Sequence, residues 1–326
     1  MERIALIGND IFVYWSPIII ALAAVAAIAF YIALYLNKDG NVSAMALSIA
    51  LSVCIGIPLS RFLHWYHRTD TYESLQKAMT DFSGGGFALY GVFVACLVAA
   101  CLLRLLRISR NLPRMLDCMA IAGGIGVSIG RLSCLFNSAN RGMILPETVG
   151  FPFASPIANA VSGAPENRLA TFLIQSVIVG LIVLGLVIYM IRSRLRKKEI
   201  PDGDLFLIFM MIYGASQIIC DSPRYDSLFL RSNGFVSIVQ ILGMVILVLP
   251  IIFFSVRTVM RTGFKGVYVA AWVGMLLLLG VTGVMEYAVQ RRGYLAPIVY
   301  SVMAVCMIAV LAVTLVIRKK GQKETV

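Results

Sequence analysis

Charged residues are scarce in this chain. Only 13% of its 326 residues are Asp, Glu, Lys or Arg, and only two are histidine. Hydrophobic residues make up 60%, and the mean hydropathy is +0.89. A single water-soluble core cannot bury so many apolar side chains, so the composition excludes an ordinary soluble domain and predicts a membrane protein with several spans. The formal net charge of +12 comes from basic residues in short loops, where it indicates topology and contact with anionic lipid, and we expect no nucleic-acid partner.

Paired-cysteine motifs and metal-ligand spacings are also missing. The seven cysteines form no CxxC pair and fall within or beside apolar runs, at positions 54, 96, 101, 118, 134, 220 and 306. Cysteine in such a setting usually behaves as a small hydrophobic residue. We therefore expect no metal site and, because no nucleotide-binding loop is visible, no cofactor.

The apolar runs predict about nine transmembrane helices, because each has close to the roughly 20 residues that a bilayer requires. They cover approximately 17–36, 44–65, 86–107, 115–136, 169–191, 204–221, 234–256, 267–289 and 295–317. Most basic residues fall in the cytoplasmic loops if the N-terminus is outside and the C-terminus inside. The expected fold is an all-α polytopic membrane protein in that orientation. Residues 143–167 contain four prolines and predict an outer loop that is too interrupted to span.

The chain is organised around the stretch from Gly130 to Gly142, which ends the fourth predicted span. Arg131 lies near the end of an apolar helix, and Asn137 lies in the turn that follows. Guanidinium and amide donors at this depth meet lipid headgroups and suit a phosphate. The alternative is that Arg131 only extends its charge to the membrane interface.

Further polar residues lie at the outward ends of other spans. The second span ends with Arg61, His64 and His67, which share one helical face; both histidines could transfer protons near neutral pH, or could belong to an interfacial aromatic belt. Gly85 and Gly86 expose backbone amides that could face an anion, and Tyr90 follows at headgroup depth. A flexible hinge followed by a belt tyrosine is the simpler interpretation of that segment.

The sixth and seventh predicted spans add a third polar group. Asp221 and Arg224 meet after the sixth span, and Gln240 lies inside the seventh, where an amide needs a partner. The polar residues thus gather at one interface, and we find no internal repeat of the kind that transporters contain.

The order of these motifs resembles the bacterial prolipoprotein diacylglyceryl transferase family over about residues 7–250. The residues that carry the resemblance are Ile7-Gly8, Tyr14-Trp15, Arg61, the Gly-Gly-x-x-x-Tyr-Gly segment from Gly85 to Gly91, Asp117, Gly130-Arg131, Asp221 with Arg224, and Gln240. The resemblance implies transfer of the diacylglyceryl group from phosphatidylglycerol to the lipobox cysteine of a preprolipoprotein, at the outer face of the bacterial plasma membrane.

The resemblance also implies residue roles. Arg131 would be catalytic, with Tyr90 or His64 as the proton acceptor; Tyr90 stands where many members carry a histidine. Phosphatidylglycerol or another anionic phospholipid would bind through a set of polar residues, supported by Asp221 and Asp117. That set comprises Arg61, Arg131, Arg224, Asn137, Gly85, Gly86 and Gln240.

Residues 1–256 would form the seven-span transferase-like core, and residues 257–326 a two-span extension with a basic cytoplasmic tail. Glu286 is the extension's one candidate for a buried acid. Some family positions differ, since Ala139 replaces a glutamate and Gln217 replaces an arginine. These differences leave open a second interpretation, a catalytically impaired membrane scaffold or regulator that binds phospholipid headgroups.

Overall fold

Helices dominate the structure, a computed structural model that describes residues 4–8, 11–38, 41–68, 72–81, 86–158, 163–229, 235–292 and 296–323. The helices in these ranges are α1 Trp15–Lys38, α2 Val42–His67, α3 Leu75–Thr80, α4 Leu89–Leu105, α5 Leu112–Arg131, α6 Thr171–Leu195, α7 Asp204–Asp221, α8 Ile238–Thr262, α9 Gly266–Arg292 and α10 Ala296–Lys323.

The helical membrane fold expected from the apolar runs is confirmed. Among the described residues, eight helices are long and apolar enough to cross a membrane. The third predicted span is α4, an apolar helix of 17 residues. At 1.5 Å per residue it is about 26 Å long, a little shorter than the roughly 30 Å hydrocarbon core. The number of spans and their orientation stay predictions.

Two short antiparallel hairpins interrupt the helical pattern, and the sequence analysis did not predict them. Strands β1 Ile4–Gly8 and β2 Ile11–Tyr14 pair just before α1. Strands β3 Ala154–Ala158 and β4 Pro165–Leu169 pair within the proline-containing loop and just after it. Part of the segment that was expected to be irregular is therefore ordered by backbone pairing.

The chain divides into two compact units. Unit 1 comprises Met1–Asn137 and Val179–Phe209, and unit 2 comprises Ser138–Ile178 and Met210–Val326. The stretch from Gly130 to Gly142, here called the central stretch, is therefore divided between the units. Its residues up to Asn137 belong to unit 1, and those from Ser138 onwards belong to unit 2. This division follows spatial compactness, so the predicted boundary between residues 256 and 257 stays a prediction.

Each unit has its own apolar core. In unit 1, α1, α2, α4 and α5 surround Tyr35, Leu103 and Met115, which are fully buried. In unit 2, helices α7 to α10 meet around Leu247 and Met303, which are equally buried. Helices α9 and α10 thus belong to the same core as α7 and α8.

Asp117 has a structural function at the start of α7. Its carboxylate is 1% exposed and accepts hydrogen bonds from the backbone N–H groups of Gly203, at 2.9 Å, and Phe206, at 2.8 Å. These N–H groups have no partner within the helix, and a negative charge there also complements the helix dipole. Fourteen residues at 1.5 Å each separate Asp117 from Arg131 by roughly 21 Å along α5. The predicted supporting carboxylate therefore lies at the opposite end of α5.

We expect Asp117→Asn to lower the free energy of unfolding by about 1–3 kcal/mol, because the amide removes the charge and one of the two acceptor oxygens from a buried site. Asp202→Asn is the matched control: Asp202 lies in the same region but pairs with Arg114 on the surface, where its side chain is 32% exposed. Such pairs contribute less than about 1 kcal/mol. Thermal unfolding in detergent measures both variants, and equal losses would contradict the capping function.

Candidate functional site

Arg61 connects three segments of unit 1. It is 1% exposed on α2, and its Nε and Nη2 donate to the carbonyls of Ala78 and Asp81. Its Nη1 donates to the carbonyl of Gly86 at 2.9 Å. These bonds attach α3 and the segment before α4 to α2. Because these guanidinium donors reach backbone oxygens, the geometry favours a positioning role for Arg61 over direct contact with a headgroup.

Gly86 lies where three polar side chains of unit 1 approach one another. Its φ of 83° is one that residues with a side chain rarely adopt. A Cβ there would collide with the hydroxyl of Tyr72 and lie 2.9 Å from Cε1 of His64. His64 Nδ1 and Tyr72 Oη are hydrogen-bonded at 3.1 Å. Glycine at this position therefore lets Arg61, His64 and Tyr72 meet, whereas Gly85 lies outside the described residues.

Tyr90 and His64, the two predicted proton acceptors, have different neighbours. The Tyr90 hydroxyl is buried and has no hydrogen-bond partner among the residues that the structure describes. Its ring centroid lies 6.2 Å from that of His67. His64 is paired with Tyr72 instead. Tyr72 was not predicted, because it stands in a polar loop without a motif, and His67 was considered for proton transfer but not chosen as a site residue.

Arg131 is the last residue of α5, and a 3₁₀ turn from Leu132 to Phe136 follows it. The side chain is half-buried, and its Nε is buried without a hydrogen-bond partner within the described ranges. Asn137 donates from Nδ2 to Ser16 Oγ at 3.0 Å, which fixes the end of the turn to the start of α1. Arg131 thus keeps a buried donor available, while Asn137 fixes the segment beside it.

Arg224 is held between two carboxylates in unit 2. Its Nη1 lies 2.6 Å from Asp221 Oδ1, and its Nε lies 3.0 Å from Asp226 Oδ1. Asp221 is buried and also accepts hydrogen bonds from the hydroxyls of Ser227 and Ser237. The predicted meeting of Asp221 and Arg224 is confirmed, and Asp226 is an additional partner.

The three charges reinforce one another. Burial alone would lower the pKa of Arg224, but Asp221 and Asp226 raise it above its ordinary value. Burial alone would raise the pKa of Asp226, but Arg224 and a backbone N–H from Asn140 hold it below its ordinary value. The positive charge of Arg224 is therefore already balanced by neighbouring carboxylates.

The second half of the central stretch packs beside this triad in unit 2. The Asn140 backbone N–H donates to Asp226 Oδ2 at 2.9 Å, and its side-chain Nδ2 donates to Gln175 Oε1 at 3.2 Å. The Tyr225 backbone N–H donates to the Arg141 carbonyl at 3.1 Å. The sequence analysis singled out this stretch, but nothing in its spacing indicated Asp226 as the partner.

Gln240 stabilises the start of α8. Its Oε1 accepts from the Ser237 backbone N–H at 2.8 Å, while Ser237 Oγ accepts from the Gln240 backbone N–H at 3.1 Å. This reciprocal pair is a capping box. The Nε2 of Gln240 donates to the Ile218 carbonyl at 3.2 Å. The partners that a buried amide requires are thus supplied by the protein itself.

The predicted extension reaches the segment next to the triad. Gln290 on α9 donates from Nε2 to the carbonyl of Ser222, at 2.8 Å, and to Oε1 of Glu286, at 3.1 Å. The Ser222 hydroxyl also lies 3.4 Å from the hydroxyl of Tyr300 on α10. Ser222 directly follows Asp221, so both added helices contact the segment that carries Arg224. The expected burial of Glu286 is confirmed, since it is 5% exposed.

These features define a class: a multi-pass helical membrane protein in which arginines, carboxylates and amides gather at the ends of spans. A family model described as prolipoprotein diacylglyceryl transferase matches residues 3–256. The chain belongs to the prolipoprotein diacylglyceryl transferase family, which confirms the resemblance seen in the motifs.

Individual relatives agree with the family match. The chain is 28% identical over 252 residues to the phosphatidylglycerol–prolipoprotein diacylglyceryl transferase of Finegoldia magna, covering 76% of this chain and 94% of that protein. It is 24% identical over 261 residues to a protein of the same name from Dehalococcoides mccartyi, covering 79% and 94%. For the namesake from Lactococcus lactis the identity is 23% over 261 residues, covering 80% and 96%.

We expect acid to remove the stability that Asp226 contributes. Its pKa is lower in the folded protein than in the unfolded chain, where it is about 3.9, so the unfolded chain binds the proton more readily. This contribution is fully present above that value and is lost as the pH falls through the lower, folded pKa. The melting temperature of Asp226→Asn should therefore lie below that of the wild type at pH 7, and the difference should shrink below about pH 4.

Glu73→Gln is the control for this pH series. It removes the same charge from an exposed ion pair with Lys77, so its melting temperature should stay close to that of the wild type. A difference between the wild type and Asp226→Asn that stays constant from pH 7 to pH 3 would contradict the assignment.

Proposed function

We propose that this protein transfers the diacylglyceryl group of phosphatidylglycerol to the lipobox cysteine of preprolipoproteins at the outer face of the bacterial plasma membrane. The family match over residues 3–256 supports this function. The structural observation that carries it is Arg131, whose buried Nε is an unused donor at the end of α5. The nine-span topology with the N-terminus outside would place Arg131 at the outer headgroup level.

In the proposed reaction the cysteine sulfur attacks the glyceryl carbon that is bonded to the phosphate oxygen. The S–C bond forms, the C–O bond breaks, and the bonding electron pair leaves with glycerol phosphate. The thiol proton goes to a base. Arg131 would hold the phosphate and stabilise the negative charge that grows on the leaving oxygen. Guanidinium suits this task because its donors match phosphate oxygens in a fixed geometry.

His64 is the better placed of the two proposed bases. A neutral histidine has one N–H and one acceptor nitrogen, and its hydrogen bond decides which nitrogen is which. If Nδ1–H donates to the hydroxyl of Tyr72, then Nε2 is the acceptor and can take the thiol proton. Tyr90 would supply a hydroxyl in the same unit, close to His67. Tyr72 would then act as a positioning residue through His64.

The other predicted headgroup residues would shape the site around the lipid. Arg61 and Gly86 would place the segment before α4, and Asn137 would fix the turn after Arg131. Asp221, Arg224 and Gln240 would order the chain between α7 and α8 in the same way. Their hydrogen bonds to the protein's own groups support this division of roles.

We also propose that residues 1–256 form the transferase core and residues 257–326 an added two-helix extension. The end of the family match at residue 256 supports that boundary. The scaffold alternative predicts lipid binding without transfer. The matched relatives named above are called transferases, which does not favour it.

We expect Arg131→Ala to lower the transfer rate by at least about 100-fold, because loss of one donor to a developing oxyanion typically costs that much. Arg131→Lys should retain an intermediate rate, since lysine keeps the charge but not the planar fork. The assay combines purified protein in phosphatidylglycerol-containing proteoliposomes with a lipobox peptide, and mass spectrometry measures the thioether product.

Arg114→Ala is the matched control for this assay. It removes an arginine from the other end of the same helix, where it forms a partly exposed pair with Asp202, and should leave the rate within about twofold. Folded wild-type protein that binds phosphatidylglycerol but forms no product would favour the scaffold. Full activity in Arg131→Ala would overturn the proposed role of Arg131.

We expect Tyr72→Phe to lower kcat by about tenfold, because His64 would lose the partner that fixes its tautomer. The pH dependence of kcat should also shift, whereas a loss of folded protein alone would lower the amount of active enzyme without changing the profile. Tyr66→Phe, at an exposed position on α2, the helix that carries His64, is the control. Identical kinetics and pH profiles for the two variants would argue against the His64–Tyr72 arrangement.

A further inference from the structure

A cavity in unit 2 is lined by none of the proposed catalytic residues, and Gln240 is the one predicted headgroup residue among its described lining. It measures about 280 Å³ and lies between α8 and α9, with part of its wall from the end of α7. Apolar side chains, among them Phe235, Met244 and Val245, form most of the lining. The α9 side contributes Thr282, Gly283 and Glu286. Because α9 lies beyond residue 256, the cavity exists only with the extension in place.

Glu286 gives this cavity an unsatisfied hydrogen-bonding group. The residue is 5% exposed, and its Oε1 accepts from Gln290 at 3.1 Å. Ser222 and Gln240 also lie within hydrogen-bonding reach of this carboxyl, but Oε2 itself is buried and accepts no well-aligned hydrogen bond from the described residues. The other two polar lining residues have partners, because Gln240 caps α8 and Thr282 donates to the Leu278 carbonyl at 3.0 Å. Leaving a buried acceptor without a hydrogen bond is unfavourable, so a ligand hydroxyl that donates to Oε2 would stabilise the site.

The charged groups in the lining indicate which class of ligand the cavity can bind. Among the described residues that line the cavity, none is lysine, arginine or histidine. An anionic phosphate would therefore meet a carboxyl group with no compensating cation, which is unfavourable in an apolar setting. An uncharged headgroup with a free hydroxyl avoids this cost and matches Oε2 of Glu286.

The surroundings select a ligand with a long apolar chain. A second cavity of about 470 Å³ lies further along the same two helices, lined by residues such as Ile252, Val256 and Leu276. Both helices are long and apolar enough to cross a membrane. An acyl chain that starts beside Glu286 can therefore continue between α8 and α9 without meeting a charge among the lining residues.

We propose that the α8–α9 cavity binds one uncharged glycerolipid with a free hydroxyl, of the diacylglycerol type. The hydroxyl donates to Oε2 of Glu286, and one acyl chain extends towards the second cavity. The lipid binds reversibly and undergoes no reaction there. This site goes beyond the proposed transferase activity, since it depends on the extension and on none of the proposed catalytic residues.

Two glycines on α9 provide a matched pair of variants. A Cβ added at Gly283 or at Gly280 would meet no atom within 4 Å, so a larger side chain fits at both positions. Gly283 lines the cavity, whereas Gly280 lines neither cavity. Gly283→Leu should fill the site. Gly280→Leu adds the same side chain to the same helix but outside the cavity, so it should leave the site open.

The experiment uses the full chain in phosphatidylcholine proteoliposomes that contain a photoactivatable, alkyne-tagged diacylglycerol. Mass spectrometry locates the labelled peptides. We expect labelling on α8 and α9, at least fivefold less in Gly283→Leu, and unchanged labelling in Gly280→Leu. No acceptor peptide is present, so the result does not depend on transferase activity. Labelling of Gly283→Leu at the wild-type level would overturn the proposal that the lipid binds in this cavity.

Competition tests the chemistry of the headgroup. Unlabelled diacylglycerol should displace the probe, whereas the same lipid with its hydroxyl acetylated should compete about tenfold less well, as expected for the loss of one good hydrogen bond. Equal competition by the acetylated lipid, or stronger competition by phosphatidylglycerol, would overturn the proposal. Glu286→Leu should lower labelling by a similar factor. If Glu286→Leu does not insert into the membrane, the comparison of Gly283→Leu with Gly280→Leu and the competition by the acetylated lipid still test the proposal.

Discussion

The structure depends on one constraint: a charged or polar group inside an apolar environment must find its partners within the protein. Arg61 meets it with three backbone carbonyls, at the end of α3 and just before α4, and Asp117 meets it with the N–H groups at the start of α7. Arg224 meets it with two carboxylates. The bonds of Arg61 and Asp117 join elements that are separate in sequence, whereas those of Arg224 order one short segment, so polar residues help to organise the fold.

The same constraint separates residues that hold the site from those available to a substrate. A side chain whose donors already reach protein groups contributes mainly by fixing the positions of its neighbours. By that criterion we expect Arg61, Arg224 and Gln240 to act mainly as positioning residues. Among the predicted site residues of unit 1, Arg131 Nε and the hydroxyl of Tyr90 are buried and have no hydrogen-bond partner in the described part of the chain. His64 would add its Nε2 as an acceptor if Nδ1 donates to Tyr72.

The sequence predicted the helices well because long apolar runs have few other stable forms in a membrane. The sixth predicted span, 204–221, has the same bounds as α7. The hairpins were missed because their short strands show no clear alternation of apolar and polar residues. The partners of Arg61 lie 17 to 25 residues away and are backbone carbonyls, which have no residue-type signal. The contact of Gln290 with Ser222 spans 68 residues and was equally invisible.

We infer that this chain is an active diacylglyceryl transferase despite the replaced positions at Ala139 and Gln217. The most direct measurement is rescue of a bacterium depleted of its own diacylglyceryl transferase, with mass spectrometry of its lipoproteins. We expect growth and lipoproteins that carry diacylglycerol with the wild-type chain, and neither with Arg131→Ala. Wild-type protein that inserts and folds in the membrane but leaves the lipoproteins unmodified would contradict it.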